Sequence, residues 1–230
     1  MKLCIIVPVY NEGGNISKIL QLLNNVNFGI PYEIIVVNDG STDNTLSELL
    51  KTSKRMKNVK VISYRQNKGK GYAIRIGLKN SNSDLFVIQD ADFEYFPKEI
   101  PKLIKHIIND ESKVVYGSRF KGGAEKISFT NLLGNKVLTF MTNLMFMSNL
   151  SDMETCYKAV HRSVLKKLNL KSNGFEIEGE ITAKILKNGY RIKEVPIKYI
   201  ARTKEAGKKI KIFDGVKTLA VLIKIRLGFL

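Results

Sequence analysis

The stretch LFVIQDADFEY, residues 85–95, joins a run of four apolar residues to a cluster of three carboxylates. A short apolar run bounded by polar residues is typical of a strand buried on both faces of a parallel sheet. Asp90 and Asp92 stand at i and i+2, so on an extended strand end both carboxylates project to the same side. Ligands bind beyond the carboxyl ends of strands in such sheets. The stretch therefore predicts an α/β fold with a polar site at the end of one strand.

Three earlier stretches repeat the pattern of an apolar run followed by a polar loop. The runs are Leu3–Val9, Glu33–Val37 and Val59–Ser63, and the loops after them are residues 8–14, 38–43 and 67–71. Between the runs, apolar residues recur with the spacing of amphipathic helices. Short strands that alternate with helices predict βαβ units and a mostly parallel sheet flanked by helices. We expect the four polar loops to meet at one edge of that sheet.

The second half of the chain is less regular. We expect strands at Val114–Tyr116 and Tyr190–Ile200, and helices at Leu132–Met147, Ile177–Leu186 (ended by Gly189) and Ile210–Leu227. One side of the helix at 132–147 carries the apolar residues Leu133, Val137, Phe140, Met141 and Leu144. We assign these side chains to the core rather than to an interaction surface. No long polar linker divides the chain, so residues 1–209 are predicted to form one domain and residues 210–230 a C-terminal extension.

The net charge of this 230-residue chain is unusual, because 38 Lys and Arg against 21 Asp and Glu give +17. Residues 111–230 hold 23 of the basic and 10 of the acidic side chains, so +13 of the charge lies there. Such an excess indicates an anionic partner: a nucleic acid, a phosphorylated substrate or an acidic membrane surface. The chain lacks helix-turn-helix, zinc and RNA-binding signatures, so nucleic acid is the most distant of the three.

Other features of the composition exclude whole classes of protein. No apolar run approaches the roughly 20 residues that cross a bilayer, and Met1–Pro8 does not have the pattern of a signal peptide. Cys4 and Cys156 are too few for a disulfide framework and fit a reducing cytosol. With His106 and His161 they show no zinc-ligand spacing. We therefore expect a cytoplasmic protein, with attachment to the cytoplasmic face of a membrane as an open alternative.

The three carboxylates at residues 90–94 are hard oxygen donors. Asp90 and Asp92, continued by Glu94, suit Mg²⁺ or Mn²⁺ that keeps waters and takes its other ligands from phosphates. The alternative is a solvated acidic turn, because a lone Asp-x-Asp pattern is weak. Residues 67–77 lack the spacing of a dinucleotide-binding fingerprint. Their lysines and glycines instead predict that a helix N-terminus approaches a phosphate or a sugar.

The polar loops, taken together and in order, resemble the family 2 inverting glycosyltransferases of the GT-A fold. The matching pieces are VPVYNE (7–12), VVNDGSTD (36–43), NKGKGYAIRIGL (67–78) and DADFEY (90–95). Later pieces resemble the dolichol-phosphate mannose synthase-like branch, which transfers mannose or glucose to dolichyl or polyprenyl phosphate. They are GSRF (117–120), GNKVLTFMTNLM (134–145), DMETCYKAV (152–160), GFEIEGEITAKILKNGYRIKEVPIKY (174–199) and RTKEAGKKIKIFDG (202–215). The resemblance runs from Leu3 to about Arg226.

The resemblance implies a role for each matching position. The implied nucleotide-binding residues are Pro8, Tyr10, Glu12, Asp39, Asp90, Ala91 and Asp92. Asp92 would hold Mg²⁺ or Mn²⁺ with help from Glu94, a position where members often have Gln. The implied phosphate-binding residues are Arg119, Arg202, Lys208 and Lys209. The family commonly has Glu directly before Gly207, where this chain has Ala206, so we assign no role to that position.

The resemblance also implies the reaction. A GDP- or UDP-hexose would be the donor and a polyprenyl or dolichyl phosphate the acceptor, with metal and basic side chains offsetting charge on the leaving diphosphate. A lipid phosphate is ionised at pH 7 and needs no strong base. An acceptor hydroxyl, on a glycan or a glycerol derivative, stays open as an alternative and needs a carboxylate to take its proton.

The predicted catalytic residues are Asp92, Arg119 and Asp152. Asp152 is the candidate base, or the group that orients the acceptor, with Glu178 and Glu180 as lesser candidates; a helix-capping role for Asp152 is the alternative. Lys68, Lys70 and Arg75 are expected to cover the entrance to the site rather than to take part in chemistry.

The C-terminal residues 210–230 combine an apolar face with several basic side chains. The apolar face consists of Ile212, Val216, Leu219, Ala220, Ile223 and Leu227. A basic amphipathic helix of this kind lies on an anionic membrane, or it packs against its own domain or a dimer partner. Both alternatives stay open from the sequence.

Overall fold

The structure is a computed structural model that describes residues 1–202 and 212–230. The strands are β1 (Leu3–Val9), β2 (Tyr32–Asp39), β3 (Val59–Tyr64), β4 (Leu85–Ile88), β5 (Val114–Ser118), β6 (Ala124–Glu125), β7 (Lys158–His161), β8 (Lys193–Pro196) and β9 (Tyr199–Ile200). The helices are α1 (Ile16–Asn24), α2 (Thr45–Ser53), α3 (Lys70–Lys79), α4 (Ile100–Ile108), α5 (Arg119–Gly122), α6 (Phe129–Phe146), α7 (Arg162–Leu165), α8 (Ile177–Lys187) and α9 (Ile212–Leu227). Lys208 and Lys209 lie outside the described residues.

The main sheet has seven strands in the order β3-β2-β1-β4-β7-β5-β8. Its pairs are parallel except where β7 runs antiparallel between β4 and β5. The short strands β6 and β9 form a separate parallel pair. The predicted mostly parallel sheet flanked by helices is therefore confirmed, and the strands predicted at Leu3–Val9 and Leu85–Ile88 have the predicted bounds.

The central strands are buried on both faces, as their continuous apolar runs require. Every residue of β1 and β4 is buried. One face of the sheet packs Ile5, Val7 and Val87 against α1 and α4, and the other packs Ile6 and Val37 against α3. The four carboxyl ends of β1 to β4 are thereby fixed at one edge, which is the edge where the polar loops lie.

The strand predicted at Tyr190–Ile200 is broken into two. β8 ends at Pro196 beside β5, and β9 belongs to the two-stranded sheet with β6. Pro196 is the last paired residue of β8, and the next N–H, of Ile197, still donates to the Ser118 carbonyl at 3.1 Å before the chain leaves β5. The break turns residues 197–202 toward the edge of the main sheet.

Helix α6 contradicts our assignment of its apolar residues to the core. Leu133, Val137, Phe140 and Leu144 are between 50% and 65% exposed, and Met141 is only partly buried. The buried side chains of this helix are Thr139 and Thr142, on its other side. The periodicity correctly predicted a helix with one apolar face, but that face is turned outward.

Helix α9 packs on the domain through a face different from the predicted one. Thr218, Leu222 and Ile225 are buried, whereas Val216 and Leu227 of the predicted apolar face are exposed. Thr218 contacts α8 at Gly179, where an added Cβ would lie 2.6 Å from the Thr218 methyl group, so the two helices approach closely. Within residues 1–202 and 212–230, no helix combines the length and the hydropathy needed to cross a membrane.

Candidate active site

The reversed strand β7 brings a second set of polar residues to the edge where β1, β2 and β4 end. Because β7 runs antiparallel to β4, the segment that precedes it, including Asp152 and Glu154, lies beside the carboxyl ends of β4 and β5. β8 runs parallel to β5, so the segment that follows it, up to Arg202, reaches the same edge. The site is therefore built from both halves of the chain.

Three carboxylates at this edge converge on the guanidinium of Arg202. Its Nη1 lies 3.1 Å from Glu12 Oε1 and its Nη2 lies 2.9 Å from Asp92 Oδ2. Glu94 Oε1 accepts a hydrogen bond from the Arg202 backbone N–H at 2.8 Å and lies 3.6 Å from Nε. We call these three side chains the acidic cluster: Glu12, Asp92 and Glu94. The cluster contacts one cation, the Arg202 guanidinium.

The closely spaced carboxylates of the cluster repel one another, and burial together with this repulsion shifts the pKa of Asp92. Burial, and then the charges of Asp90 and Glu94, raise the pKa of Asp92 to about 7, against the opposing effect of Arg202. A divalent cation would relieve the same repulsion. A bound cation would therefore stabilise the ionised cluster relative to the same ionised cluster without a cation.

Asp90 faces a different partner from Asp92. The residues after β4 bend rather than continue as a strand, and Asp90 pairs with Lys70 at 2.8 Å, whereas Asp92 pairs with Arg202. Burial opposes ionisation of Asp90, but Lys70 holds its pKa below the ordinary value. The strand ends at Ile88, so the strand geometry that we assumed for these two carboxylates does not extend to them.

Arg119 and Asp152 form a buried bidentate pair. Arg119 Nε donates to Asp152 Oδ2 at 2.8 Å, Nη2 donates to Oδ1 at 2.7 Å, and the Arg119 backbone N–H donates to Oδ2 at 2.9 Å. The Asp152 side chain is 0% exposed and that of Arg119 is 8% exposed. Two parallel N–H···O bonds fix the plane of a guanidinium. The carboxylate of Asp152 is therefore occupied in orienting Arg119.

A tyrosine joins the acidic cluster to this pair. The Tyr199 hydroxyl donates to Glu94 Oε2 at 2.6 Å, and the Arg119 guanidinium lies 5.2 Å from the centre of the Tyr199 ring. Tyr199 is in β9, which follows the break in the chain at Pro196. One side chain thus contacts both the acidic cluster and the buried arginine.

The remaining predicted nucleotide-binding residues lie along the same edge. Pro8 is buried in β1, Tyr10 is partly exposed just after it, and Ala91 is buried between Asp90 and Asp92. Asp39 is buried at the end of β2, and its carboxylate accepts bonds from the backbone N–H groups of 68 and 69 at 2.8 Å each and from the Asn67 amide at 2.9 Å. The Asp39 carboxylate therefore holds the loop 67–69 in place.

The N-terminus of α3 does not face the site as we predicted. The backbone N–H groups of Gly71 and Tyr72 donate to the carbonyls of Gly174 and Asn173, at 3.2 and 3.0 Å. A Cβ on Gly69, which has φ +100°, would lie 2.3 Å from the Asn173 carbonyl oxygen, and one on Gly71 would lie 2.6 Å from that of Ser172. The glycines therefore allow two backbone segments to meet, rather than giving a phosphate access to the helix.

Two basic residues of this region, Lys70 and Arg75, differ from our expectation that they cover the entrance. Arg75 donates to the carbonyls of Leu170 and Lys171 and to Asn173 Oδ1, and so fixes the loop 170–173. Lys68 lies over the ring of Tyr72 at 4.8 Å. Lys70 is largely buried beneath the site.

Lys70 and Lys158 belong to a buried charge network that sequence reasoning missed. One carboxylate oxygen of Glu178 lies 3.0 Å from Lys70 Nζ, and the other lies 2.5 Å from Lys158 Nζ. Burial opposes protonation of Lys70, but Asp90 and, less strongly, Glu178 hold its pKa above the ordinary value. The sequence did carry a sign of the role of Lys158, which directly precedes the apolar residues Ala159 and Val160. A charged side chain beside buried apolar residues needs a buried partner.

Glu154 is a further carboxyl that sequence reasoning missed. Burial raises the pKa of Glu154 to about 7, although Lys158 acts in the opposite direction, and its Oε1 has no hydrogen-bond partner. Glu180, by contrast, accepts bonds from Lys184 and from the backbone of Lys171 and Ser172. Glu180 therefore has a structural role.

The donor set of the acidic cluster fits a hard divalent cation. Asp92 and Glu94 present carboxylate oxygens to a positive group, here the Arg202 guanidinium, which stands where such a cation would be attracted. Within the described residues, no group of three His, Cys, Asp or Glu side chains is arranged to hold a metal by itself. Mg²⁺ is typically bound by one or two carboxylates supplemented by water and substrate phosphates.

Comparisons with known proteins place this geometry in context. The profile of the family described as "Glycosyl transferase family 2" matches residues 4–169. A protein of Methanococcus voltae named UDP-N-acetylglucosamine--dolichyl-phosphate N-acetylglucosaminyltransferase is 34% identical over 243 residues, covering 97% of this chain and 96% of that protein. The dolichol-phosphate mannosyltransferase of Pyrococcus furiosus is 33% identical over 213 residues, covering 90% of this chain and 59% of that protein.

A solved structure shares the fold at lower sequence identity. Glucosyl-3-phosphoglycerate synthase from Mycobacterium tuberculosis, in complex with Mn²⁺, uridine diphosphate and phosphoglyceric acid, superimposes with a TM-score of 0.75 at 18% identity. The match covers 99% of this chain and 78% of the other. At this identity the likeness concerns the fold.

Proposed function

Because the chain belongs to glycosyltransferase family 2 and has its GT-A fold, we propose that it transfers a sugar from a nucleoside diphosphate sugar to a dolichyl or other polyprenyl phosphate, with inversion at the anomeric carbon. The observation that carries the proposal is the juxtaposition of a cation-holding acidic cluster with a buried, oriented arginine, joined by Tyr199. The two relatives named for dolichyl-phosphate sugar transfer support the acceptor class.

On the donor side, we assign the nucleotide to the edge formed by Pro8, Tyr10, Glu12, Ala91 and the loop that Asp39 holds. Asp92 and Glu94 would hold Mg²⁺ or Mn²⁺, which offsets the charge that develops on the leaving diphosphate. A cation held by Asp92 and Glu94 would take the place of the Arg202 guanidinium, which would leave Arg202 available to the phosphates. Lys208 and Lys209 remain proposed phosphate contacts on the basis of the family pattern.

On the acceptor side, Arg119 would bind the lipid phosphate. A phosphate oxygen attacks the anomeric carbon as the bond from that carbon to the diphosphate oxygen breaks, and the bonding electrons leave with the diphosphate. The attacking oxygen is already ionised, so this reaction requires no strong base. The role that we propose for Asp152 is therefore to position Arg119, consistent with its buried bidentate contact.

The sugar and the base of the donor have several candidates. The relatives' names include an N-acetylglucosamine donor carried on UDP and a mannose transferase, so GDP- and UDP-sugars, including N-acetylhexosamines, are the donors to test.

The alternative acceptor, a hydroxyl on a small phosphorylated acid or a glycan, is favoured by one observation. Glu154 has an unpartnered carboxyl oxygen and a pKa raised to about 7, which suits a general base. The M. tuberculosis structure is named for a glycerate acceptor.

The proposal extends to the surroundings of the enzyme. We propose that residues 1–209 form the catalytic domain, that residues 210–230 contact a membrane surface or a second copy, and that the enzyme works at the cytoplasmic face of a membrane. A location at a membrane follows from an acceptor that is itself a lipid. Nucleic acid is not among the proposed partners.

Nucleotide binding is the first test. Thermal shifts are measured with GDP, UDP and CDP, each with and without Mn²⁺, for the wild type, Asp92→Asn and the control Asp110→Asn, which alters an exposed carboxylate. We expect one nucleotide to stabilise the wild type and the control in a Mn²⁺-dependent way, and Asp92→Asn to lose the Mn²⁺ dependence. No stabilisation of the wild type by any nucleotide would reject the transferase proposal.

The acceptor is tested by product formation. Labelled UDP- and GDP-sugars are incubated with a short polyprenyl phosphate or with 3-phosphoglycerate, using the wild type and Glu154→Gln. Transfer to the polyprenyl phosphate that persists in Glu154→Gln supports the lipid acceptor. Transfer to the hydroxyl acid alone, abolished in Glu154→Gln, supports the alternative.

A further inference from the structure

Helices α6 and α9 each carry an exposed apolar stripe with heptad spacing. We name these side chains together the apolar platform: Phe129, Leu133, Val137, Phe140, Leu144 and Met147 from α6 and its C-cap, and Phe213, Val216, Ala220, Ile223, Leu227 and Phe229 from α9 and the residues after it. Phe140 and Leu144 are each 65% exposed, and Met147 is 93% exposed. At about 100° per residue, the helical members of each stripe fall within roughly 80° of arc.

The two stripes point away from the body of the protein. On α6 the inward side chains include Leu138 and Met145, and on α9 they are Leu222 and Ile225. These inward residues lie on the side of each helix opposite to its stripe, and they pack together with Ala183 of α8 in one cluster. Because α6 and α9 also contact each other, their outward faces form one continuous surface.

The charges around the platform favour one kind of partner. Helix α6 contains no acidic residue, and α9 contains one, Asp214. Exposed Lys136, Lys217, Lys224 and Arg226 lie on these two helices. Two copies of the chain that met through this surface would bring like charges together, without the opposite charges that helix pairs use to fix their register. An apolar face bordered by basic residues instead matches an anionic lipid surface.

The platform is also next to the proposed acceptor site. Arg119 Nη2 lies 3.5 Å from Asn135 Oδ1, and Asn135 lies on the side of α6 opposite to Leu133 and Val137. The same helix supports the segment that carries Asp152, since Met153 N donates to Thr139 Oγ1 at 3.1 Å. Arg119 therefore lies behind α6, about one helix diameter (roughly 10 Å) from the stripe, which is near the headgroup level of a bilayer into which the stripe inserts by roughly 5–10 Å.

We propose that the apolar platform of α6 and α9 is a docking surface for an anionic membrane, which holds Arg119 at the depth of a lipid phosphate. The acceptor role of Arg119 in this statement rests on the proposed function. The membrane contact itself rests on the exposed stripes and their basic border.

The test is co-sedimentation with vesicles of phosphatidylcholine containing 30% phosphatidylglycerol, compared with phosphatidylcholine alone. The platform variant is Phe140→Glu with Leu144→Glu. The control is Leu22→Glu with Leu50→Glu, which adds the same two charges at exposed leucines of α1 and α2. We expect the wild type and the control to bind the anionic vesicles, and the platform variant to bind at least tenfold more weakly.

Two results would overturn the proposal. One is a wild type that does not bind anionic vesicles at low salt. The other is a wild type that is a stable dimer without lipid and is dissociated by the platform substitutions, which would assign the surface to a second copy. Nucleotide thermal shifts on the same samples report folding of the variants. If the wild type binds no nucleotide, the proposed function is rejected, whereas the conclusion from vesicle binding still holds.

Discussion

The buried pair of Arg119 and Asp152 makes a strong prediction for the substitution Asp152→Asn. The change preserves shape but removes the charge from a side chain that is 0% exposed and accepts three hydrogen bonds from Arg119. Removing one partner of a buried ion pair costs about 3–5 kcal/mol, because the other charge is left without compensation. For a chain of this size, about 1 kcal/mol corresponds to roughly 2–4 °C, so the melting temperature should fall by about 6–20 °C.

The assay is urea-induced unfolding at neutral pH, with calorimetry for the melting temperature. Asp110→Asn is the matched control, because that carboxylate pairs with Lys113 at the surface and its side chain is 73% exposed; we expect no measurable change there. The double variant Arg119→Met with Asp152→Leu should recover most of the lost stability, because an apolar pair of similar volume can replace a buried ion pair. We expect no sugar transfer by this variant, because it lacks Arg119. A loss below about 1 kcal/mol in Asp152→Asn would refute the reasoning, because a pair with so small an effect is not desolvated.

Three other predictions follow from the site. Arg202→Gln should bind Mn²⁺ about tenfold or more tightly at pH 8 without nucleotide, measured by calorimetric titration, because a charge-assisted hydrogen bond worth about 1.5–3 kcal/mol no longer competes for the carboxylates; unchanged Mn²⁺ affinity would contradict this. Because burial raises the pKa of Glu154 from 4.5 to about 7, the native state holds that proton more tightly than the unfolded chain. The unfolding free energy of the wild type relative to Glu154→Gln should therefore fall by about 3 kcal/mol between pH 4.5 and 7.5, and a pH-independent difference would argue against it. Gly71→Ala should lose about 1–3 kcal/mol in urea unfolding, because its Cβ would meet the Ser172 carbonyl, whereas Gly134→Ala, which has open space in α6, should gain about 0.5–1 kcal/mol; equal effects at the two glycines would refute the close contact.

The strands of the first half could be predicted because each signal is local. Leu3–Val9 and Leu85–Ile88 are continuous apolar runs with polar residues on both sides, and a strand buried on two faces has no other pattern. The polar loops after them were located by the same rule. The acidic residues of the site followed from the family pattern at those positions.

The remaining features depend on contacts that no local pattern encodes. Heptad spacing in α6 showed that one face is apolar, but Leu133 and Phe140 have the same spacing whether that face is covered by protein or by another partner. The partner of Asp152 lies 33 positions away, and Lys70 meets Glu178 more than a hundred positions later. The reversed direction of β7 brings the segment with Asp152 to the carboxyl end of β5, where Arg119 follows, and direction is not visible in a four-residue strand.

The position of β7 also constrains the order in which the protein folds. Among the described residues, β5 and β8 join the rest of the sheet through β7 alone, and β7 pairs with β4. Pairing of Leu85 with His161 is therefore needed before β5 and β8 can attach. Pairing between residues so distant in sequence closes a large loop, and such steps are slow. Strands β1 to β4 pair only among themselves within this part of the sheet, β1 with β2 and β4 and β2 with β3, so they are expected to be structured earlier during synthesis. A ribosome-bound chain that ends before residue 158 would then already display the acidic cluster's β1 and β4 loops while lacking everything that holds Arg119.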